Sequence, residues 1–544
     1  MPLSALGWRY LDKCVITGVT SMMFSKNATF SKNTFAVSVA MGLALMAASN
    51  SAFSQDLARA QGRVSDPGVR GGPAGGGAPI SAADGLNENE LKQFNEGKFR
   101  ATELEATCET CSQIIPGTMS GESPFLNTIT NSAGLGARFN GDQCSVCHSQ
   151  PDIGGSGGFF VPNPVEAKRD PSKAQRPENP MFRLIPHRHG QTNKTPSFIK
   201  QYGPIREARF KFKSDGTRDG GVHQLFTVVG RDDDPGNAGC SIKQPDFETE
   251  LANNNISFRI PLQLFGLGLI DTIEDQEIIK RHDASAAYRA RFGVAGRTNR
   301  SDNDGTITRF GWKAQNKSLT VFAGEAYNVE MGVTNELFPQ ATDETDNCNV
   351  DKPHPNDVAR TANNDLTNDS FFNPIHIFAD WMQFTFWMRF LDAPKPVALT
   401  AQAQRGQQVF ADSGCAACHT PQMVTAATTQ SPSVEGKTAN LYSDLLIHHM
   451  GANLADNVIQ GQAGVDEFRT QPLWGVGQRL FFMHDGRTND LVQAIREHVS
   501  PATPANPRTK LPALPASEAN LSVFSYFAKN PADQQALLVF LRSL

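Results

Sequence analysis

The chain has 544 residues, which is too long for one small domain, so about two to four domains are expected. Hydrophobic residues make up 39% and charged residues 19%, as in a soluble globular protein, while 46 glycines and 33 prolines indicate many loops around modest helices. The formal net charge of -5 excludes the basic surface of a protein that binds nucleic acid or an acidic membrane.

The first 54 residues have the layout of an export signal. An apolar run over 35–48 follows Lys26 and Lys32 and leads into small residues that suit a cleavage site before Gln55. The run is short and no later stop-transfer segment follows, which favours a cleaved signal peptide over a membrane span. We therefore expect a periplasmic protein with no membrane span after cleavage. Either of two methionines upstream of this charged region, Met22 or Met23, could be the true start.

Residues 55–90 are rich in glycine, proline and alanine. Such a composition buries little surface and predicts a flexible linker after the signal. Ordered structure is expected to begin near Leu91, where Phe94 and Phe99 open a helical pattern.

Two Cys-x-x-Cys-His motifs lie far apart in the chain. Their residues are Cys144, Cys147 and His148 in the first and Cys415, Cys418 and His419 in the second. Two thiols at this spacing can add to the two vinyl groups of one porphyrin edge, and the following imidazole can bind the iron. Zinc would need four clustered ligands at each site, and no second Cys/His pair stands at a suitable spacing. Two copies behind an export signal therefore predict two covalently bound haem c groups.

The other cysteines of the exported chain point to disulfides. Cys108 and Cys111 have the haem spacing, but Ser112 stands where the iron ligand should be, so a third haem is not expected. The oxidising periplasm favours disulfides, and Cys108–Cys111 and Cys240–Cys348 are the expected pairs. The sequence alone does not settle this connectivity.

An internal repeat follows the two haem motifs. The letters Phe-Arg, Pro-Leu and Gly-x-Gly recur in this order over 258–268 and over 468–477. Such a repeat predicts two copies of one haem domain. We expect a mainly α fold of two cytochrome c-like haem domains, 91–395 and 396–544. The first would carry a large, loop-rich insertion that contains short strands, one of them near 222–229.

Two helices near the C-terminus have clear start signals. The final helix is expected to follow Asn530, a favoured N-cap residue, with Pro531 in its first turn. An earlier helix is expected to start at Thr488 or Asn489. The side chains predicted to face the core are Leu537, Leu538, Phe540 and Leu541 in the final helix, and Leu491, Ala494, Ile495 and His498 in the earlier one.

Several further segments carry a resemblance to one protein family. They are Gly266–Ile273, Arg309–Ala314, Glu330–Thr334, Ser443–Gly451, Phe468–Gly477 and Phe482–Leu491. Together with both haem motifs, they occur in the family's order over residues 136–544. The chain is similar to the di-haem oxidoreductases related to bacterial di-haem cytochrome c peroxidases, MauG-type enzymes and rubber-cleaving oxygenases.

The resemblance implies different roles for the two haems. The N-terminal haem, held by His148, would be the reaction centre, and the C-terminal haem, held by His419, would exchange electrons. His498 stands at the position of the family's second iron ligand in this haem, counted from the histidine of the His484-Asp485-Gly486 motif.

The resemblance also implies roles for residues near the haems. Trp312 falls at the place of the tryptophan between the haems, and Glu330 with Met331 falls at the place of the distal acid. Tyr327 stands where the rubber-cleaving oxygenases have an aromatic residue near the oxygen site. The chain departs from the family at Lys313, where the peroxidases usually have aspartate, and at His449, where many relatives carry an acid.

On this basis we expect a peroxidase-class oxidoreductase in which hydrogen peroxide or dioxygen reacts at the N-terminal haem. Glu330 would be the general acid–base, with Asp271 or Glu325 as alternatives. Electrons would pass through Trp312 to or from a small redox protein or a quinol-linked partner. Two other functions stay open: a plain electron carrier with both irons six-coordinate, and a haem-dependent oxygenase of a bulky apolar substrate.

Other polar residues are interpreted as structural. His448 and His449 are adjacent, and on a helix their side chains would diverge, so a shared metal is not favoured. Asp302-Asn303-Asp304-Gly305 resembles the start of a calcium loop, but no glutamate stands at the twelfth position, so a turn is favoured. The resemblance leaves open calcium between the domains, bound by oxygens that the sequence does not identify.

Overall fold

The structure is a computed structural model, which describes residues 64–71, 77–106, 131–133, 135–158, 160–162, 175–177, 179, 181, 193–227, 242–342, 355–359, 378–427 and 431–544. All of these belong to the unit Ala60–Leu544. The predicted signal peptide and the four cysteines of the predicted disulfides lie outside the described residues.

Short α-helices joined by irregular segments dominate the described chain, so the predicted mainly helical fold is confirmed. Helices α1 to α11 are Glu88–Thr102, Phe247–Ala252, Leu267–Asp271, Asp275–Ala284, Ala286–Arg291, Leu319–Met331, Asp380–Phe390, Ala401–Asp412, Leu491–Glu497, Asn520–Phe527 and Pro531–Ser543. Among the residues described, none of these helices combines the length and the apolar character needed to cross a bilayer.

The strands are short and pair two by two. Strands β1 to β14 are Leu104–Ala106, Asn131–Ala133, Arg138–Phe139, Phe160–Pro162, Gln175–Pro177, Glu207–Phe210, Phe226–Thr227, Ile256–Arg259, Asn299–Arg300, Ile307–Thr308, Met423–Val424, Thr438–Ala439, Ile447–His449 and Glu467–Arg469. The β6–β8 pair places Glu207 opposite Arg259. Within the strand expected near 222–229, the structure describes β7, which pairs with β3. Residues 228 and 229 lie outside the described range.

Two similar helix crossings are present, one in the N-terminal half (91–395) and one in the C-terminal half (396–544). Helix α1 packs on α7, and Gly97 of α1 lies so close to the carbonyl oxygen of Gln383 that a Cβ there would clash. Helix α8 packs on α11, and Gly406 of α8 lies equally close to the carbonyl oxygen of Ala536. Glycine permits this approach because it has no side chain. Each half thus contains a pair of helices whose backbones are in close contact.

The repeated Gly-x-Gly letters occupy matching places in the two halves. Gly266 and Gly475 both have left-handed backbone angles, with φ of 70° and 74°, and each begins a helical turn. The second glycine of each motif, Gly268 or Gly477, lies against a backbone carbonyl near the C-terminal end of α7 or α11. A side chain at either position would push the turn away from the helix.

The two predicted C-terminal helices are both present. Helix α11 begins at Pro531, and the side chain of Asn530 accepts a hydrogen bond from the Asp533 amide, as predicted. The N-cap of helix α9 lies one or two residues later than predicted, because Asp490 is the N-cap and accepts from the Gln493 amide at 2.7 Å. The backbone of Thr488 is instead paired with that of Phe482.

The described chain contains two large buried cores of aromatic and aliphatic side chains, and the larger one includes residues from both halves. The larger core includes Phe94 of α1 and Trp387 of α7, and a second core joins Phe410 of α8 to Phe540 of α11. The Phe410 and Phe540 rings meet edge to face with centroids 5.6 Å apart. Full burial of one such side chain stabilises the fold by about 1.5–3 kcal/mol.

Parts of the glycine-rich stretch 55–90 contact the body of the protein, which differs from the predicted flexible linker. Asp66 forms an ion pair with Arg542 of α11 at 2.6 Å and accepts a hydrogen bond from the Leu491 amide at 2.9 Å. Further along, Ile80 and Leu86 are buried in the larger core. One carboxylate and a few apolar side chains thus anchor segments whose composition alone indicates no fixed structure.

Candidate functional site

The first Cys-x-x-Cys-His motif lines a cavity in the N-terminal half, which we call cavity one. Its volume is about 1200 Å³, including space open to solvent. A 3₁₀ turn over Cys144–Val146 turns both thiols and His148 toward this space, since the amides of Cys147 and His148 donate to the Cys144 carbonyl. Other lining residues include Asn140, Met181, Arg206, Glu207, Arg209, Arg259, Leu262, Trp312, Glu325, Tyr327, Glu330 and Met331.

The imidazole of His148 is held in one orientation. Its Nδ1 lies 3.1 Å from the carbonyl oxygen of Gly155, and the Leu262 carbonyl is a second backbone neighbour. A carbonyl can only accept, so Nδ1 carries the hydrogen and Nε2 keeps the lone pair. Burial lowers the pKa of His148 to about 4, which keeps the ring neutral. A neutral ring in this tautomer is the form that binds a metal ion.

The second motif lines a separate cavity in the C-terminal half, which we call cavity two. Its volume is about 1470 Å³, including space open to solvent. Cys415, Cys418 and His419 lie on one side, and His498 lines the same cavity. Leu491, Ala494 and Ile495 of α9 line it as well, so the predicted face of this helix is turned toward the motif.

His419 and His498 have the same hydrogen-bond arrangement as His148. The Nδ1 atom of His419 lies 3.0 Å from the Tyr442 carbonyl oxygen, and that of His498 lies 2.8 Å from the Ala494 carbonyl oxygen. Burial lowers the pKa of both rings, in the case of His419 to about 4. Cavity two therefore brings together two neutral imidazoles that keep the lone pair on Nε2.

Trp312 lines both cavities. Its indole Nε1 donates to the Ile260 carbonyl at 2.9 Å, and its own carbonyl accepts from the Arg469 amide at 2.9 Å. On the side of cavity two, its ring meets His484 edge to face at 6.3 Å. The Trp312 side chain is thus held by backbone contacts where it borders both cavities.

Lys313, which departs from the family pattern, is completely buried next to Trp312. Its ammonium lies 3.1 Å from Asp456 Oδ1 and donates to the carbonyls of Gly464 and Glu467. Burial lowers the pKa of Lys313 to about 8, although Asp456 opposes this shift. Through these three contacts, Lys313 links the loop after Trp312 to the C-terminal half.

Helix α6 brings Tyr327 and Glu330 to cavity one. Ser318 caps the start of the helix, and Gly332, with a φ of 71°, ends it. The Tyr327 ring is buried, and its hydroxyl has no hydrogen-bond partner among the described residues. A hydroxyl in this position is available to a molecule bound in the cavity.

The carboxyl group of Glu330 faces cavity one in a fixed position. Asn140 donates from Nδ2 to Glu330 Oε2 at 2.8 Å, and the Asn140 amide donates to the Glu330 carbonyl at 2.7 Å. Burial raises the pKa of Glu330 to about 8, and the neighbouring Glu207 carboxyl adds to the shift and hydrogen bonds with Glu330. A carboxyl group that titrates near neutral pH can both take and release a proton.

Two further residues lie beside Glu330 that no sequence pattern indicated. Glu207 and Arg209 stand two apart on β6, so both point to the same face, and they form an ion pair with each other. Both line cavity one. They belong to the predicted insertion, where a four-residue strand is too short for its alternation to be recognised.

The two alternative acids lie in different surroundings. Glu325 lines cavity one and accepts a hydrogen bond from Asn316 at 2.5 Å. Asp271 lies outside the lining of cavity one, where it accepts from the Leu319 amide and pairs with Arg389 at 3.3 Å. Asp271 therefore links α3 to the ends of α6 and α7.

His448 and His449 lie on strand β13 and not on a helix, so their side chains point to opposite faces. His448 is buried between Glu518, at 2.8 Å from Nδ1, and Asp444, at 3.0 Å from Nε2. His449 pairs with Asp466 at 3.1 Å. Both histidines thus have carboxylate partners, in keeping with structural roles.

Residues 302–305, whose sequence resembles the start of a calcium loop, form a turn. Asp304 Oδ1 accepts from the amide and hydroxyl of Thr306, and Oδ2 pairs with Lys317 at 2.5 Å. Across the described parts of the chain, no group of three or more His, Cys, Asp or Glu side chains is arranged to hold a metal ion.

Both cavities suit a c-type haem. None of the four motif cysteines is in a disulfide, and burial raises the pKa of each, so the thiols are neutral. Each cavity adds a neutral imidazole and largely apolar walls, which is the environment of a buried porphyrin. Unpartnered buried groups, such as the Tyr327 hydroxyl, also line the space and fit a bound polar group.

A model of the protein family described as "Di-haem oxidoreductase, putative peroxidase" matches residues 213–524. The matched range includes Trp312, Glu330, the second haem motif and His498. The range is more than half of the chain.

Two solved structures are similar to parts of the chain. Hydrazine synthase of Kuenenia stuttgartiensis is 14% identical, with a TM-score of 0.24, over 53% of this chain and 73% of that one. A MauG-like protein associated with microbial copper homeostasis is 14% identical, with a TM-score of 0.24, over 46% of this chain and 77% of that one. Structural similarity at this level does not indicate the activity of this chain. A comparison with curated protein sequences found no match.

Proposed function

This chain belongs to the di-haem oxidoreductase family, and we propose that it is an exported, peroxidase-class enzyme with two covalently bound haem c groups. Membership of the family makes it a di-haem redox enzyme. The main observation that supports the more specific proposal of two covalently bound haem c groups is the pair of cavities. Each contains a Cys-x-x-Cys-His motif with a neutral imidazole, and cavity two adds a second imidazole, His498.

The proposed architecture is two cytochrome c-like domains, 91–395 and 396–544, with an insertion in the first. The matching helix crossings at Gly97 and Gly406 support it, as do the matching turns at Gly266 and Gly475. A duplication would produce such a correspondence, because the same close contacts recur at the same places.

In cavity one, Cys144 and Cys147 would attach a haem and His148 would bind its iron. In cavity two, the corresponding residues are Cys415, Cys418 and His419, with His498 as the second ligand. When bound, the haem irons supply the redox chemistry with peroxide or dioxygen. The second imidazole in cavity two supports the proposal that the reaction occurs at cavity one and electron exchange at cavity two.

Glu330 would act as the general acid–base in cavity one. Its carboxyl group takes a proton from one peroxide oxygen and returns it to the other, so that water leaves in place of hydroxide. Asn140 fixes the plane of the carboxyl group through Oε2. The hydrogen bond with Glu207 provides a second carboxyl group through which the proton can be shared.

Trp312 would connect the two haem sites for electron transfer. Its indole lines both cavities, which supports this role. The electrons would come from or go to a small redox protein or a quinol-linked partner in the periplasm. This localisation rests on the predicted signal peptide.

Electron paramagnetic resonance on the as-isolated and half-reduced protein tests the proposal. We expect one high-spin iron, from cavity one, and one low-spin iron, from cavity two. The second candidate is a plain electron carrier, because Met181 and Met331 both line cavity one and a thioether can be a sixth ligand. Two low-spin irons would favour that candidate. Stable dioxygen binding in the isolated protein would favour the oxygenase.

A further inference from the structure

Arg259 and Arg469 hold the same position in the two copies of the Phe-Arg element, on β8 and β14. Both are buried, and each lines the cavity of its own half. In both, the guanidinium Nε has no hydrogen-bond partner among the described residues. The repeat therefore places one buried guanidinium at each cavity.

The two arginines differ in their neighbours. Arg259 forms an ion pair with Asp456 at 2.8 Å. Arg469 donates to the Arg309 carbonyl and to Gln471 Oε1, both neutral, and within the described chain it forms no ion pair. Among the described residues, the charge of Arg469 is thus left without an anion.

A second unpaired guanidinium lines cavity two. Arg479 donates from Nε to the Phe481 carbonyl at 2.9 Å, while its Nη2 is buried without a partner in the described chain. Its guanidinium carbon lies 5.8 Å from the centroid of the Trp312 ring. Glu518, an acid in the lining of cavity two, is already hydrogen bonded to His448.

Burying a charged guanidinium without an anion is unfavourable, and arginine does not lose its proton in proteins to avoid this cost. Burial alone lowers the pKa of Arg469 to about 9 and that of Arg479 to about 10, with no carboxylate opposing the shift. Two unpaired guanidinium groups therefore indicate that the molecule bound in cavity two carries two negative charges. A haem c carries two propionate carboxylates.

We propose that Arg469 and Arg479 bind the two propionate groups of the haem in cavity two. This inference rests on the proposed function, in which that cavity holds a haem. Charge-assisted hydrogen bonds from the unpartnered Nε of Arg469 and Nη2 of Arg479 satisfy both arginines at once. Because Arg479 lies near Trp312, the propionate that it would bind would lie near the tryptophan that lines both cavities.

The test is a redox titration of the holoprotein and of the variants Arg469→Gln and Arg479→Gln, followed in the spectrum of the low-spin haem. A nearby positive charge disfavours the ferric state. At a fixed ambient potential, each variant should lower the ferrous-to-ferric ratio roughly tenfold, as expected for a unit charge about 10 Å away at an effective dielectric constant of about 20.

The pH dependence of the same titration is a second measurement. A propionate paired with arginine stays ionised, so the wild-type potential should be flat at mildly acidic pH. Without its arginine, the propionate gains a higher pKa. It then ionises as pH rises, which stabilises ferric iron, so the potential of the variants should fall with rising pH.

Two controls keep the result interpretable. Arg479→Lys retains the charge and should retain most of the wild-type potential. Arg405→Gln removes a largely exposed arginine of the same half that pairs with Asp533 outside the cavity, and should change nothing. An unchanged potential in both glutamine variants, with two haems still attached, would overturn the inference. If Cys415→Ala with Cys418→Ala still left two covalent haems, the proposed function would fail instead.

Discussion

Cavity one and cavity two are built on the same scaffold but have different polar linings. Cavity one contains three carboxylates, Glu207, Glu325 and Glu330, and an ion pair between Glu207 and Arg209. Cavity two contains a second imidazole, His498, and the unpaired Arg469 and Arg479. Acidic groups can hold and move protons, whereas a second imidazole and fixed positive charges suit a site that only changes its oxidation state.

The comparison indicates that a similar helix crossing can accompany different cavity chemistry. The crossings at Gly97 and Gly406 share the same close approach of a glycine to a backbone carbonyl. The acids of cavity one come from β6 and α6, elements of the longer half.

Removal of both thiols of one motif should have the largest effect. Cys415→Ala with Cys418→Ala leaves no sulfur to attach a haem in cavity two, so the denatured protein should retain one covalent haem. Mass spectrometry of the denatured chain measures this directly. The corresponding change at Cys144 and Cys147 should remove the other haem, and any pair that leaves both haems attached is not an attachment site.

Glu330→Gln keeps the shape of the side chain and removes its titration. We expect the reaction with peroxide to slow by about 10²–10⁴-fold, the usual effect of losing a general acid–base. Stopped-flow spectroscopy measures the rate. In the wild type, the carboxylate form accepts the proton, so the rate should rise with pH up to the pKa of about 8 and then level off. Glu330→Gln should lose this dependence.

Asp271→Asn is the matched control for Glu330→Gln, because Asp271 lies outside the lining of cavity one. It should keep the wild-type rate with peroxide. Slowing in Asp271→Asn, with a normal rate in Glu330→Gln, would move the acid–base role to Asp271.

His498→Met should raise the reduction potential of the C-terminal haem while keeping it low-spin. A thioether favours ferrous iron more than an imidazole does. A spectroscopic redox titration measures the shift. His223→Met is the control, because His223 stacks on Phe210 and pairs with Asp219 and lines neither cavity. Equal potentials in the wild type and His498→Met would mean that another residue is the ligand.

The smallest effect concerns the helix crossings. Gly97→Ala and Gly406→Ala each insert a methyl group against a backbone carbonyl, and each should lower the free energy of unfolding by about 1–3 kcal/mol. Urea unfolding of the holoprotein measures the change. Gly71→Ala meets nothing within 4 Å and should be neutral. Stability unchanged in all three variants would show that the crossings tolerate wider spacing.

Several features could be determined from the sequence because their signals are local. The Cys-x-x-Cys-His spacing is a covalent requirement, complete within five residues. The cap at Asn530 is read from its own first turn, and it was correct, whereas the cap of α9 was placed one or two residues early because Thr488, Asn489 and Asp490 are all favoured N-cap residues. Family membership was also predictable, since its motifs occur in order along the chain.

Only the tertiary structure decided which distant residues meet. Glu207 and Arg209 reach Glu330 because β6 pairs with β8, a contact that no local pattern encodes. The anchoring of Asp66 on Arg542 likewise joins the two ends of the described chain through one ion pair. A sequence pattern specifies the periodicity and the ends of an element, but the faces that meet across the molecule depend on how all the elements pack together. Among the described residues, Arg259 has an anion beside it and Arg469 has none, a difference within a repeated Phe-Arg element that is therefore visible only in three dimensions.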